Sequence, residues 1–326
     1  MKVLYPAPIP VISEPENGNG SYNARNFDNI AQGVSRQFHQ ESTTPLARIQ
    51  TMRKVKRQSP QLRLSPQRSR IIQSDCIDTM RRWPDEWVHL VVADPPYFNV
   101  LRNHSWDCQW TDEDHYLEWT SQWIAEAMRL LVPGGLLYCF GQVGKREHVM
   151  LHLMSNAATN WQFHDLVVWD RLVGYHNRKD SFTPAHEMIL VLRKDGEVPR
   201  FNKDAVREPY PPAVIAKYAR DKRYKNVERR VSHLRRGKYA TNIWRVPSLK
   251  GLSKEKVGHP SQKPEEVIRR IVQSSTHRGD WVLDPFLGSG TTAVVARSLR
   301  RRWLGIERDP QYYEMARTRM SDRRIR

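Results

Sequence analysis

Short, nearly unbroken apolar runs alternate with amphipathic stretches over most of the chain. Val88-His89-Leu90-Val91-Val92-Ala93 is one such run, ending at Asp94. A strand covered by helices on both faces has this pattern, because neither side meets water. Ile71-Ile72 leads into Ser74-Asp75-Cys76 in the same manner. Tyr116, Trp119, Trp123, Ala127 and Leu130 then recur at helical spacing, behind a Thr111/Asp114 pair that resembles a capping box. Pro133-Gly134-Gly135 stops that helix, and strands are predicted over 136–140, 166–169 and 188–192. Further on, Pro264 stands where a first helical turn begins. Glu265 and Glu266 follow it, and Val267, Ile268, Ile271 and Val272 make an apolar stripe. A strand over 281–284, a glycine loop, a helix from about Thr291, a strand over 303–307 and a last helix complete the series. Strands alternating with helices predict an α/β, doubly wound sheet of Rossmann-like type. No internal repeat interrupts it.

Two segments break the rhythm and set the domain organisation. Residues 1–68 combine Pro, Gly and Asn stretches with few periodic apolar positions, which predicts a flexible basic tail. Residues 195–258 are interrupted by Pro209, Pro211 and Pro212, strongly basic and poor in strand signals. They read as an insertion between a 69–194 half and a 259–326 half of one domain. Charge sharpens this picture. Lys and Arg number 53 against 35 Asp and Glu, a formal charge of +18. Such an excess favours a polyanionic partner, nucleic acid ahead of acidic lipid, because each phosphate neutralised releases counterions. The three cysteines, Cys76, Cys108 and Cys139, are widely spaced, which argues against a disulfide framework or a metal site and for a reducing compartment. No apolar run approaches the roughly 18 residues of a membrane span, so a soluble, cytoplasmic protein is expected.

Two constellations carry candidate chemistry. Asp284-Pro285-Phe286-Leu287-Gly288-Ser289-Gly290-Thr291-Thr292 sits at a strand-to-helix turn, where glycines admit a ligand close to the backbone and the helix start offers free N–H groups. Glu307 ends the next strand about 20 residues on, the position from which an acid accepts hydrogen bonds from a ribose diol. Together these favour an adenosine-containing cofactor. Ala293 stands in place of the third glycine of the dinucleotide fingerprint, so a nicotinamide or flavin stays open on these residues alone. Asp94-Pro95-Pro96-Tyr97 ends the central apolar strand. Its two prolines stiffen a loop at the edge where doubly wound sheets bind ligands, and fix an acceptor carboxylate beside an aromatic face. A planar base with a donor amine suits that pairing.

The tetrapeptide, the Phe286–Gly290 turn and His259-Pro260-Ser261-Gln262-Lys263-Pro264 together resemble the DNA amino-methyltransferases of restriction–modification and orphan type. Their order, with the tetrapeptide before the glycine turn, is similar to that family's β group, and the resemblance covers roughly residues 69–322. It implies a seven-stranded sheet with one antiparallel strand, in which the two halves of the chain interleave. It implies S-adenosyl-L-methionine as cofactor. The methionine part would lie near Asp284, Phe286, Gly288, Ser289, Gly290 and Thr291, the ribose at Glu307, and the adenine near Asp75 and Cys76. His259, Ser261 and Lys263 would face the cofactor's carboxylate end. Asp94, Pro95, Pro96 and Tyr97 would be catalytic, with Asp94 also bordering the cofactor: Asp94 and the Pro95 carbonyl would accept the amine hydrogens, and Tyr97 would stack on a base flipped out of the duplex. Transfer would be an in-line displacement on double-stranded DNA, with neither metal nor cysteine nucleophile.

Within the family, Ser at the first tetrapeptide position is more usual for cytosine, so Asp94 favours N6 of adenine over N4 of cytosine. A non-catalytic DNA-binding protein on the same fold would be expected to have lost Asp94 or the glycine loop. Target recognition is expected in the basic insertion, at Lys222, Arg223, Lys225, Arg229, Arg230, Arg235, Arg236 and Lys238, with Arg178 in a second loop. A homodimer and a cognate restriction endonuclease are both compatible with the resemblance; activity requires no nuclease.

Overall fold

The structure is a computed structural model that describes residues 65–98, 100, 101, 103, 105–142, 149–174, 179–221, 223 and 226–322. The first 64 residues of the expected tail lie outside this set. In chain order the elements are β1 (Arg70–Gln73), α1 (Cys76–Arg81), β2 (Val88–Ala93), α2 (Glu113–Leu130), β3 (Leu131–Gly141), α3 (Val149–Asn160), β4 (Gln162–Asp170), β5 (His186–Arg193), α4 (Pro212–Ala219), α5 (Val227–Arg235), β6 (Ile243–Arg245), α6 (Glu265–Ser275), β7 (Trp281–Asp284), α7 (Thr291–Ser298), β8 (Arg302–Glu307) and α8 (Pro310–Ser321).

The strands form one sheet in the order β1-β8-β7-β2-β3-β5-β4-β6. Every neighbouring pair is parallel except the two that involve β5. The seven strands implied by the resemblance are therefore present, with one antiparallel. An eighth, β6, lies in the insertion, whose sequence is poor in strand signals. It pairs with β4 at the sheet edge and buries Trp244 in the core. Three residues are too few to show a period, so only its pairing reveals it.

Period-two alternation divides the core between the two faces of the sheet. Val91, Ala93, Leu137 and Cys139 pack with α1 and α2, whereas Leu90, Val92, Leu136, Tyr138 and Phe140 pack with α6 and α7. On α6 the predicted stripe Val267, Ile268, Ile271 and Val272 is wholly buried, each side chain contributing about 1.5–3 kcal/mol of transfer free energy. Helix boundaries shift slightly. Asp112, not Thr111, caps α2 by accepting a hydrogen bond from the His115 N–H at 2.8 Å. Pro133-Gly134-Gly135 is not a simple stop either: α2 ends at Leu130, and these residues bulge within β3, where the partner step Val88 to Leu90 spans Leu131 to Leu136. The consequence for function is the pairing of β2 with β7, Leu90 against Val282 and Val91 against Leu283. It joins two segments separated by about 190 residues of sequence and aligns their carboxyl ends.

Candidate active site

Parallel strands β1, β8, β7 and β2 all end at one edge of the sheet, where they deliver Asp75, Glu307, Asp284 and Asp94. A cavity of about 440 Å³ opens there, lined by residues of both halves of the chain. Asp75 and Cys76 form its wall beside β1, with Trp106 and Tyr312 nearby. Asp75 Oδ1 accepts from the Ile77 and Asp78 N–H groups and so starts α1. Burial holds the Cys76 thiol well above its ordinary value, and the Cys139 thiol likewise, which disfavours the thiolate at both.

The glycine turn forms the cavity floor. Glu307 organises it: Oε2 accepts from the Gly288 N–H at 2.8 Å and Oε1 from the Asp309 N–H at 2.8 Å. Gly288 has φ +50°. A Cβ there would approach His259 Nε2 to 3.0 Å. Phe286, Gly288, Ser289, Thr291 and Thr292 all border the cavity. Gly290 is not among the lining residues. With φ +80° it is the N-cap of α7, and a Cβ there would meet Ala316 of α8 at 3.3 Å. It shapes the turn. Arg319, buried on α8, holds the same turn by donating to the Ser289 carbonyl at 3.2 Å and the Thr291 hydroxyl at 3.0 Å. Sequence reasoning missed it, since an arginine in a basic terminal helix looks like solvent-facing charge.

Asp284 lies at the end of β7 with 5 % exposure. Burial pushes its carboxyl up to about 7, although hydrogen bonds from the Thr292 side chain and the Phe286 N–H act in the opposite direction. Burial raises Glu307 as well. The cavity thus holds two carboxylates poised to gain from a cationic or diol-bearing ligand.

Across the cavity the tetrapeptide is held in a fixed shape. Asp107 is 1 % exposed and takes the Tyr97 N–H at 2.7 Å and the Leu101 N–H at 2.6 Å. The Tyr116 hydroxyl donates to the Pro96 carbonyl at 2.7 Å. The Pro95 carbonyl accepts no hydrogen bond among the described residues. Asp94, Pro95 and Pro96 line the cavity. Tyr97 does not: its ring packs on the α6 side of the core and its hydroxyl donates to Asp94 Oδ1 at 2.7 Å. The Lys263 ammonium lies over the Tyr97 ring, 5.1 Å from the centroid.

Lys263 links the cavity to the tetrapeptide. It borders the cavity, and its ammonium lies 2.8 Å from Asp94 Oδ1 and 3.4 Å from Glu187 Oε2, so it is paired with carboxylates of this chain. Burial works against the charged ammonium, but Asp94 and Glu187 together hold its pKa above the ordinary lysine value. Burial likewise raises Asp94, reinforced by Glu187 and opposed by Lys263. The rest of the signature is structural glue around this lysine. Gln262 accepts from the Val257 N–H at 2.9 Å and donates to the Glu255 carbonyl at 2.6 Å. His259 packs edge-on against Tyr312 at 4.3 Å, and its Nδ1 accepts from the Ser261 N–H at 3.3 Å. His259 and Ser261 both border the cavity.

The basic insertion sorts its charges. Arg223 pairs with Asp221 at 2.7 Å, Arg236 with Asp204 at 3.1 Å and Lys238 with Glu208 at 3.1 Å. Arg230 lies over the Tyr218 ring at 4.6 Å. Arg229 and Arg235 on α5 are exposed and make no ion pair among the described residues. Arg178, Lys222 and Lys225 lie outside the described residues. No helix among those described is long and apolar enough to cross a membrane.

A family profile described as a DNA methylase matches residues 88–318. The chain is 31% identical over 255 residues to the Type II methyltransferase M1.MboII of Moraxella bovis, covering 76% of this chain and 95% of that protein. It is 31% identical over 254 residues to the DNA adenine methyltransferase YhdJ of Escherichia coli, covering 77% and 82%. Among solved structures it resembles the PvuII DNA methyltransferase (cytosine-N4-specific) with a TM-score of 0.60, at 16% identity, over 79% of this chain and 88% of that one. At that identity the likeness speaks for the fold.

Proposed function

This chain belongs to the DNA methylase family, and from that premise we propose that it transfers a methyl group from S-adenosyl-L-methionine to the N6 amine of adenine in double-stranded DNA. The observation that carries the proposal is a shared cavity: the Asp94-Pro95-Pro96 turn and the 286–292 turn border the same space, delivered by neighbouring strands. The residues fit the cofactor. The buried Asp284 and half-buried Glu307 carboxylates suit an ammonium group and a ribose diol, and the backbone of the glycine turn permits close approach. Bound there, the cofactor supplies an electrophilic methyl group on a sulfonium.

The chain's own residues prepare the amine. An exocyclic amine is a poor nucleophile, because its lone pair is delocalised into the ring. Asp94 Oδ2 and the Pro95 carbonyl, both without hydrogen-bond partners among the described residues, accept its two hydrogens. That favours a pyramidal nitrogen with its lone pair available for displacement. The base leaves the duplex to reach them. Tyr97 stacks on it once its hydroxyl leaves Asp94. The insertion at 195–258 contacts DNA, chiefly through Arg229 and Arg235 to phosphate, while residues 69–194 and 259–326 form the methyltransferase domain around it. The setting is cytoplasmic, with DNA as the partner. A homodimer or a separate cognate endonuclease is compatible with this chemistry and required by neither step.

Cytosine N4 is the second reading, since the same acceptors suit its amine. Asp94 in place of Ser and the likeness to an enzyme named for adenine favour N6. Treated duplex DNA digested to nucleosides and resolved by mass spectrometry decides between them. N6-methyladenine is the expected product. A dominant N4-methylcytosine peak overturns the adenine assignment, and methylation confined to RNA overturns the DNA substrate.

A further inference from the structure

Asp94 belongs to a buried chain of alternating charges drawn from separate segments. Glu187, on the antiparallel strand β5, is 6 % exposed. Its Oε1 is held by the Arg171 guanidinium just beyond β4. Its Oε2 receives the Tyr97 hydroxyl at 3.1 Å and lies 3.4 Å from Lys263 Nζ. Lys263 Nζ and the Tyr97 hydroxyl also meet at Asp94 Oδ1, at 2.8 and 2.7 Å. Two carboxylates and two cations balance. The phenol has a single proton for two carboxylates, so the lysine must hold whichever one the tyrosine does not.

We propose that Glu187 and Lys263 are positioning residues for methyl transfer: Glu187 holds Lys263 on Asp94 Oδ1, and this leaves Oδ2 oriented toward the target amine. The inference rests on the methyltransferase reading above. A buried lysine facing Asp94 alone would draw both carboxylate oxygens to itself and weaken the acceptor. A second carboxylate shares the ammonium, so Asp94 is gripped by one oxygen and keeps the other available. The arrangement also gives Tyr97 a second acceptor when it moves to a base, because Glu187 can receive the hydroxyl that Asp94 gives up. Alignment of an acceptor is worth much in a displacement that depends on geometry more than on covalent help.

The test compares Glu187→Gln, Lys263→Met and the charge-balanced double variant Arg171→Met/Glu187→Gln, with Glu187→Asp as the conservative control. On the full chain, cofactor Kd is measured by calorimetry, and single-turnover transfer to unmethylated plasmid DNA at saturating cofactor and DNA. In the first three, transfer should slow at least about 30-fold while the Kd for S-adenosyl-L-methionine stays within about threefold. Glu187→Asp should recover to within about fivefold of wild type. Glu187→Gln leaves the Arg171 cation without its carboxylate and can fail to fold; the double variant removes the stranded arginine and keeps the question answerable. A double variant within about threefold of the wild-type rate overturns the assignment. So does a tenfold or greater loss of cofactor affinity in Lys263→Met, about 1.4 kcal/mol, which returns Lys263 to the cofactor carboxylate. A wild-type chain inactive on every duplex refutes the methyltransferase reading and this inference with it. An active wild type with unimpaired variants refutes this inference alone.

Discussion

Asp284 gives the cofactor site a measurable pH signature. Burial holds its carboxyl up at about 7, and the neighbouring Asp94 and Glu307 add to the rise. A ligand carrying a sulfonium and an ammonium pairs with the ionised form and is disfavoured by the neutral one. If only ionised Asp284 binds well, the apparent Kd scales with one plus the ratio of protonated to ionised forms. That factor is about 11 at pH 6, about 2 at pH 7 and about 1.1 at pH 8, so acidification from pH 8 to 6 weakens binding about tenfold, or about 1.4 kcal/mol. The sign for folding is opposite. With its folded pKa above the unfolded value near 4, Asp284 favours the free folded protein below that value and loses this contribution as pH rises to about 7. Cofactor-induced thermal stabilisation should therefore grow with pH, while the free protein gains nothing from this group. Calorimetry in phosphate and in Tris separates the linked proton. At pH 6.5 about 0.8 of a proton should leave per cofactor bound. Asp284→Asn should bind more weakly than wild type at pH 8 and lose the pH dependence. A flat Kd between pH 6 and 8 in the wild-type protein refutes the reasoning, and an unchanged slope in Asp284→Asn moves the titration to another group.

Three further outcomes follow from the same geometry. Asp94→Ala should abolish methyl transfer while cofactor Kd stays within about tenfold, because the carboxylate acts on the amine; substantial single-turnover activity would remove Asp94 from that role. Gly290→Leu should cost about 1–3 kcal/mol of stability through the φ +80° strain and the contact with Ala316, read as a lowered Tm; an unchanged Tm would show the turn to be tolerant. Arg229→Gln/Arg235→Gln should flatten the dependence of log K for DNA on log salt by at most about two units, one per lost phosphate contact. Arg236→Gln should flatten it less, since Arg236 is already paired with Asp204, and equal slopes in all variants would move the DNA surface away from α5.

Sequence alone fixes the elements whose patterning is driven by burial. The run over 88–93, the stripe Val267, Ile268, Ile271 and Val272, and the glycine turn before Thr291 are each legible, because burial on two faces, burial on one face and a positive φ leave separate marks on residue choice. The same holds for the ends of strands, so Asp94, Asp284 and Glu307 stand out in the sequence itself. Contacts between distant segments leave no such mark. Only the β2–β7 pairing sets Asp94 beside the glycine turn, and only the packing of β5 against β3 and β4 brings Glu187 to Lys263. Gly290 facing Ala316, Arg319 clamping the glycine turn and Arg236 spent on Asp204 are decisions of the same kind. A side chain's type states what it can bond with. Which partner it meets depends on where the rest of the chain has been placed by its own burial.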